Sequence, residues 1–195
     1  AIGFAHMTYS EAGEEVIYPS PGYLLFESFI PYFRCNPVPV VLEESDDFAL
    51  KRDNLEPLLN DRTGLIFLNF PSNPTGSTYN REELMQIAKV AQEKDLIVIS
   101  DEIYDKIVYS GIKHVSFPEL SSDAKERTIL VNGVSKTYSM TGWRMGWSVW
   151  PEKLNPHITK LAINSFSCVN APSQFAGIAA LDGSDESIDH MMKKF

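Results

Sequence analysis

Short, uninterrupted apolar runs alternate along this chain with segments whose apolar residues recur at helical spacing. The stretches "GLIFLNF" (64–70), "DLIVIS" (95–100) and "RTILVNG" (127–133) are strands of the first kind. Such strands are buried on both faces, so they lack the polar alternation of a half-exposed sheet. Residues 16–18 form a shorter run that stops at Pro19, and "PVPVVLEE" (37–44) is an edge strand, because its prolines cannot donate to a ladder. "GWRMGWSVW" (142–150) is read as a further strand.

The helical segments lie between these runs. In "REELMQIAKVAQEK" (81–94), Leu84, Ile87, Ala88 and Ala91 line one face, and Asn80 with Glu83 forms a capping box at its start. In "YLLFESFIPYF" (23–33), Leu25, Phe29 and Tyr32 share a face. "NLEPLLND" (54–61) is a short helix or turn, and "KLNPHITKLAINSF" and "APSQFAGIAALDG" are two more helices. The alternation predicts one α/β unit: a mostly parallel sheet covered by helices on both faces. Both ends of the chain lie in helical patterns without start or stop signals, as in a piece of a longer protein.

Composition narrows the partners. The 195 residues carry 17 basic and 26 acidic side chains, a net charge of −9, which argues against a nucleic-acid or anionic-membrane surface. The two cysteines, Cys35 and Cys168, make neither a disulfide framework nor a zinc-type pair, and read as buried thiols in a reducing compartment. No leader or apolar run of membrane-spanning length is evident, so a cytoplasmic protein is expected.

In parallel α/β sheets, ligands sit beyond the carboxyl ends of the strands. Three segments follow strands directly: "PSNPTG", "SDEIY" and "NGVSKTY". Taken singly they are a turn, a strand-end cap and a surface lysine. Together they bring Asn73, Asp101, Tyr104 and Lys136 to one rim, with Arg144 eight residues after the lysine. An amine nucleophile, a carboxylate, a phenol and a guanidinium that can grip an anion bidentately suit pyridoxal phosphate.

The segments "NFPSNPTG", "ISDEIYDKIVYSG" and "VNGVSKTYSMTGWRMGW" closely resemble class I/II aminotransferases of the fold-type I pyridoxal-phosphate enzymes, the aspartate and aromatic aminotransferase-like branches above all. The resemblance runs the length of the chain. It implies that Lys136 forms the Schiff base and moves the substrate proton, that Asp101 faces the pyridine nitrogen, and that Asn73 and Tyr104 donate to the phenolic oxygen. It gives Arg144 and Ser135 to the phosphate, Tyr23 to the stacked face of the ring and Ile103 to the other face.

Where some branches carry a serine three residues before the lysine, this chain has Gly133. The resemblance further implies the large cofactor-binding domain, residues 1–195, incomplete at both ends, without the N-terminal arm and C-terminal small domain. The parent would be a homodimer transferring an amino group from an amino acid to a 2-oxo acid, and the isolated chain would be inactive. No residue is expected to serve as the substrate-carboxylate arginine; Arg81 and Arg127 lie on a helix start and a strand start. Rival readings are a carbon–sulfur β-lyase, an aminocyclopropane-carboxylate synthase-like enzyme, or a non-enzymatic sensor domain.

Overall fold

The computed structural model describes residues 1–109 and 111–195; Ser110, in the "DEIYDKIVYSG" segment, lies outside the described residues. In chain order the elements are α1 (Ile2–Tyr9), β1 (Glu15–Ser20), α2 (Leu25–Tyr32), β2 (Asn36–Val41), α3 (Arg52–Leu55), β3 (Thr63–Asn69), α4 (Arg81–Glu93) and β4 (Ile97–Asp101). They continue with α5 (Ser122–Arg127), β5 (Thr128–Gly133), β6 (Gly146–Val149), α6 (Asn155–Phe166), α7 (Ala171–Asp182) and α8 (Glu186–Met192). The strands form one six-stranded sheet in the order β2-β1-β3-β4-β5-β6. All neighbours are parallel except β5 and β6, which run antiparallel.

Alternation within each strand explains the continuous apolar runs. On β3, Leu65 and Phe67 point into one core with Val16, Phe26, Ile30, Ile99 and Ile129, whereas Ile66 and Leu68 point into the other with Leu84, Ile87 and Val98. Each face is therefore a core, where a polar residue needs a partner inside the fold. The capping box of α4 is present: the Asn80 side chain accepts from the Glu83 N–H at 3.0 Å, and the Glu83 carboxylate accepts from the Asn80 N–H at 2.8 Å. Among the described residues, no helix is long and apolar enough to cross a membrane.

Several expectations need correction. β1 does not stop at Pro19 but continues to Ser20. Its pairing with β3 ends at Ile17, so Pro19 has only β2 beside it and its missing N–H leaves no ladder acceptor unserved on the other side. Leu25, Phe29 and Tyr32 do share a face of α2, but the core takes Phe26 and Ile30; the predicted face lines an open apolar groove with Phe4, Met7 and Phe166. The strand read over 142–150 is shorter: Thr141–Trp143 is a 3-10 turn and only Gly146–Val149 pairs. Cys35 is buried, as expected, but Cys168 is exposed.

Candidate active site

The parallel register aligns the carboxyl ends of the central strands. Asn69 on β3 lies opposite Asp101 on β4, and Asp101 lies opposite Val131 on β5. The turns that leave these ends carry Asn73, then Ile103 and Tyr104, then Ser135 and Lys136. The loop leaving β1 brings Tyr23 to the same edge. β6 runs antiparallel to β5, with Gly146 opposite Gly133, so the residues entering β6 also return there. This is how a lysine and an arginine eight residues apart share one rim.

Tyr23, Asn73, Asp101, Ile103, Tyr104, Ser135, Lys136 and Arg144 all line a single cavity of about 410 Å³. That volume is in the range of small-ligand sites. Every side chain singled out from the sequence is thus brought together.

Several of these residues are held by local devices. Tyr23 packs edge-on against Phe26 with ring centroids 5.8 Å apart, and Phe26 stacks on Phe67 at 4.3 Å in the core. Asn73 donates its backbone N–H to Asn69 Oδ1 at 2.9 Å, while Asn69 Nδ2 donates to the Asp101 carbonyl at 3.2 Å. Asn69 is buried and couples the ends of β3 and β4. The sequence reading missed it, although a polar residue closing an apolar strand was a visible signal.

Lys136 sits in the turn 134–139, closed by Tyr138 N–H donating to the Val134 carbonyl at 3.2 Å and Ser139 N–H to the Lys136 carbonyl at 3.1 Å. Its Nζ lies 5.7 Å from the centre of the Tyr104 ring. Arg144 adopts a left-handed φ of 53°, which costs a non-glycine residue about 1 kcal/mol or more. The preceding 3-10 turn is braced by α7: Ser173 Oγ donates to the Trp143 carbonyl at 2.8 Å. Arg144 Nη1 donates to the Thr141 carbonyl at 2.9 Å, which orients the guanidinium.

Gly133 has a steric reason. A Cβ there would lie 2.9 Å from Gly146 Cα and 3.0 Å from the Met145 carbonyl oxygen. The close β5–β6 approach leaves no room for the serine that other branches carry at this position.

The electrostatics are one-sided. Asp101 is 7% exposed, and burial pushes its carboxyl up to about 6. The Ile103 N–H, donating to Asp101 Oδ1 at 3.2 Å, opposes that rise, and the neighbouring Glu102 charge adds to it. Glu102 is itself buried on the other side of the turn, where it accepts from Ser100 Oγ at 2.8 Å and the Phe117 N–H at 3.0 Å, and pairs with His114 Nε2 at 2.8 Å. Among the described residues, no cationic side chain pairs with Asp101, and no carboxylate pairs with Lys136 or Arg144. The cavity therefore combines a buried carboxylate with an amine and a guanidinium. Arg127 is committed to Asp123 and Asp95, far from the cavity lining, and Arg81 opens α4.

Comparison with known proteins agrees with this geometry. The family described as aminotransferase class I and II matches residues 1–194. The chain is 36% identical over 200 residues to the aspartate aminotransferase of Bacillus sp. (strain YM-2), covering 100% of this chain and 51% of that protein. It superposes on the aromatic aminotransferase from Pyrococcus horikoshii OT3 with a TM-score of 0.92 at 34% identity, over 98% of this chain and 51% of that one. The aspartate aminotransferase from Rhizobium meliloti gives 0.93 at 30% identity, over 99% and 48%. The chain spans about half the length of the curated relatives it matches. With the strand-end cavity, the matched residues and the shared fold, this chain belongs to the class I and II aminotransferase family.

Proposed function

We propose that this chain is the large, pyridoxal-phosphate-binding domain of an aminotransferase, and that the whole protein transfers an amino group from an amino acid to a 2-oxo acid. The observation that carries the reading is one cavity holding a buried carboxylate without a cationic partner, an amine and a guanidinium. The family's cofactor complements all three, and these residues fit it: a protonated ring nitrogen for Asp101, an aldehyde for Lys136 and a phosphate for Arg144. When bound, pyridoxal phosphate supplies an electron sink for the charge that develops at the substrate Cα.

The chain's own residues do the rest. Asp101, buried in the cavity wall, would hold the proton on the ring nitrogen through an ion pair made stronger by burial. Lys136 is the residue that would hold the cofactor's aldehyde end, and its amine would serve as the acid–base group for the substrate Cα proton. Tyr104 and Asn73 would supply the donors for the phenolic oxygen. Arg144 grips the phosphate with its planar fork, and Ser135 adds a hydroxyl. Tyr23 and Ile103 confine the ring between an aromatic and an aliphatic face.

Arg144 is the one arginine among the cavity-lining residues. A single guanidinium cannot hold both a phosphate and a substrate carboxylate. The substrate grip therefore comes from the rest of the whole protein, and the 195-residue chain alone binds cofactor without appreciable turnover. Exposed apolar side chains on α6 and α7, among them Phe166, Phe175 and Ile178, support a covered face in the assembled protein, with a second copy as its occupant. A cytoplasmic location goes with this reading.

The test is a coupled assay on the whole protein, with aspartate, an aromatic amino acid and alanine as donors and 2-oxoglutarate as acceptor. Oxo-acid-dependent turnover is expected. Release of pyruvate and ammonia from cysteine-type substrates without any 2-oxo acid would assign the scaffold to a β-lyase instead.

A further inference from the structure

The turn that carries Tyr104 and the turn that carries Lys136 are joined by one carboxylate. Asp105 Oδ2 accepts from Asn132 Nδ2 at 2.9 Å. Asp105 Oδ1 accepts from the Lys106 N–H at 2.8 Å and from Thr137 Oγ1 at 3.3 Å. Asn132 precedes Lys136 and Thr137 follows it, so the carboxylate grips the lysine's turn from both sides. Thr137 is only 3% exposed, which makes this hydroxyl bond hard to replace with water. Asp105 itself does not line the cavity.

The Asn132 amide has no freedom to reverse. Its Oδ1 accepts from the Gly133 N–H at 2.7 Å, so its NH₂ group must face Asp105. Position 105 must therefore accept on both sides, from the Asn132 NH₂ and from the Lys106 N–H, which a carboxylate can do and an amide, with one acceptor oxygen, cannot. The same region has a second tie, Lys106 Nζ, which pairs with Asp185 at 2.8 Å and lies 5.9 Å from the Tyr138 ring centre. That tie is exposed and weak, so the carboxylate is the principal side-chain link.

We propose that Asp105 is a positioning residue for Lys136, acting through its pair with Asn132, a pair that needs one donor facing one acceptor. The proposal rests on the reading of Lys136 given above. Lys136 Nζ rides on a long flexible stem, and its reach is set by where its Cα is held. A turn free to shift by an ångström would move the amine relative to Asp101 and Tyr104, and small misplacements are costly in pre-organised sites.

The test compares three cofactor-free chains: unmodified, Asp105→Asn, and the swap Asp105→Asn with Asn132→Asp. In the single variant the new NH₂ group must face one of two donors, the Asn132 NH₂ or the Lys106 N–H. In the swap, the amide at 105 donates to the carboxylate at 132, whose second oxygen still accepts from the Gly133 N–H. Amide hydrogen exchange over residues 133–138 is expected to accelerate at least about tenfold in the single variant, the loss of one charge-assisted bond, and to return towards the unmodified rate in the swap. Capture of added pyridoxal phosphate at Lys136, mapped after borohydride reduction, should slow and recover in parallel.

Unchanged exchange in Asp105→Asn, or a swap no better than the single variant, overturns the proposal. If the single variant does not fold, the swap decides: unmodified exchange supports the pair and failure to fold overturns it. Capture at another lysine in the unmodified chain overturns the functional reading alone, and the exchange comparison then decides the Asp105 pair by itself.

Discussion

Replacing Asp101 with asparagine should make the empty protein more stable and the loaded protein worse, and the first effect has a computable size. Burial lifts the Asp101 carboxyl from its ordinary 3.8 to about 6. The folded chain therefore keeps this proton over a pH range where the unfolded chain has lost it. Stability from this group is fully present below 3.8 and is lost as pH rises towards 6. At about 1.36 kcal/mol for each pH unit, the loss amounts to about 3 kcal/mol and is complete above pH 6. Asparagine carries no charge to bury, and its carbonyl can still accept from the Ile103 N–H. The stability difference between Asp101→Asn and the unmodified chain should be smallest below pH 3.8 and should have grown by about 3 kcal/mol at pH 7. Urea unfolding of the two cofactor-free chains across that range measures it, with every other titration common to both and cancelling. A difference that does not change with pH would refute the claim that Asp101 is a desolvated carboxylate awaiting a cation. The same substitution should weaken pyridoxal phosphate binding by at least about tenfold, because the ring nitrogen loses its buried ionic partner.

Two further outcomes follow from the geometry. Arg144→Lys should weaken binding of pyridoxal phosphate more than binding of pyridoxal, since a point charge replaces a bidentate fork; equal losses in titrations with the two ligands would remove Arg144 from the phosphate position. His6, 1% exposed and stacked on Phe33 at 4.9 Å, is pulled by burial from 6.5 to about 4, so it is neutral in the fold and costs stability as pH falls from 6.5 towards 4. By the same conversion the cost reaches about 3 kcal/mol, and His6→Leu should flatten the unfolding free energy by about that much over this interval; an unchanged slope would contradict it.

The parts of this architecture that were legible in the sequence share a physical basis. β3, β4 and β5 are apolar on both faces, and only a sheet covered on both sides has a use for such runs. The residues that line the cavity were legible because position and chemistry agreed: Asp101 closes such a strand, and Asn73, Tyr104 and Lys136 each follow one within a few residues. What escaped depended on tertiary context. α2 has apolar residues around most of its circumference, so periodicity could not tell the Phe26–Ile30 face from the Leu25–Phe29–Tyr32 face. α5 buries only Ala124 in a six-residue polar segment and has no apolar period to detect. Cys168 is exposed because it lies in the connection between α6 and α7, which leaves the core. Asn69, through Asp101, and Asp105, through Asn132 and Thr137, act by hydrogen bonds to partners distant in sequence, which no local pattern identifies.

The central claim is that the strand-end cavity is a pyridoxal phosphate site built around one lysine. Incubating the chain with pyridoxal phosphate, reducing with borohydride and sequencing the labelled peptide tests it most directly. The label is expected on Lys136 alone, and Lys136→Ala should abolish it. A label on Lys106 or Lys160, or labelling that survives Lys136→Ala, would contradict the account.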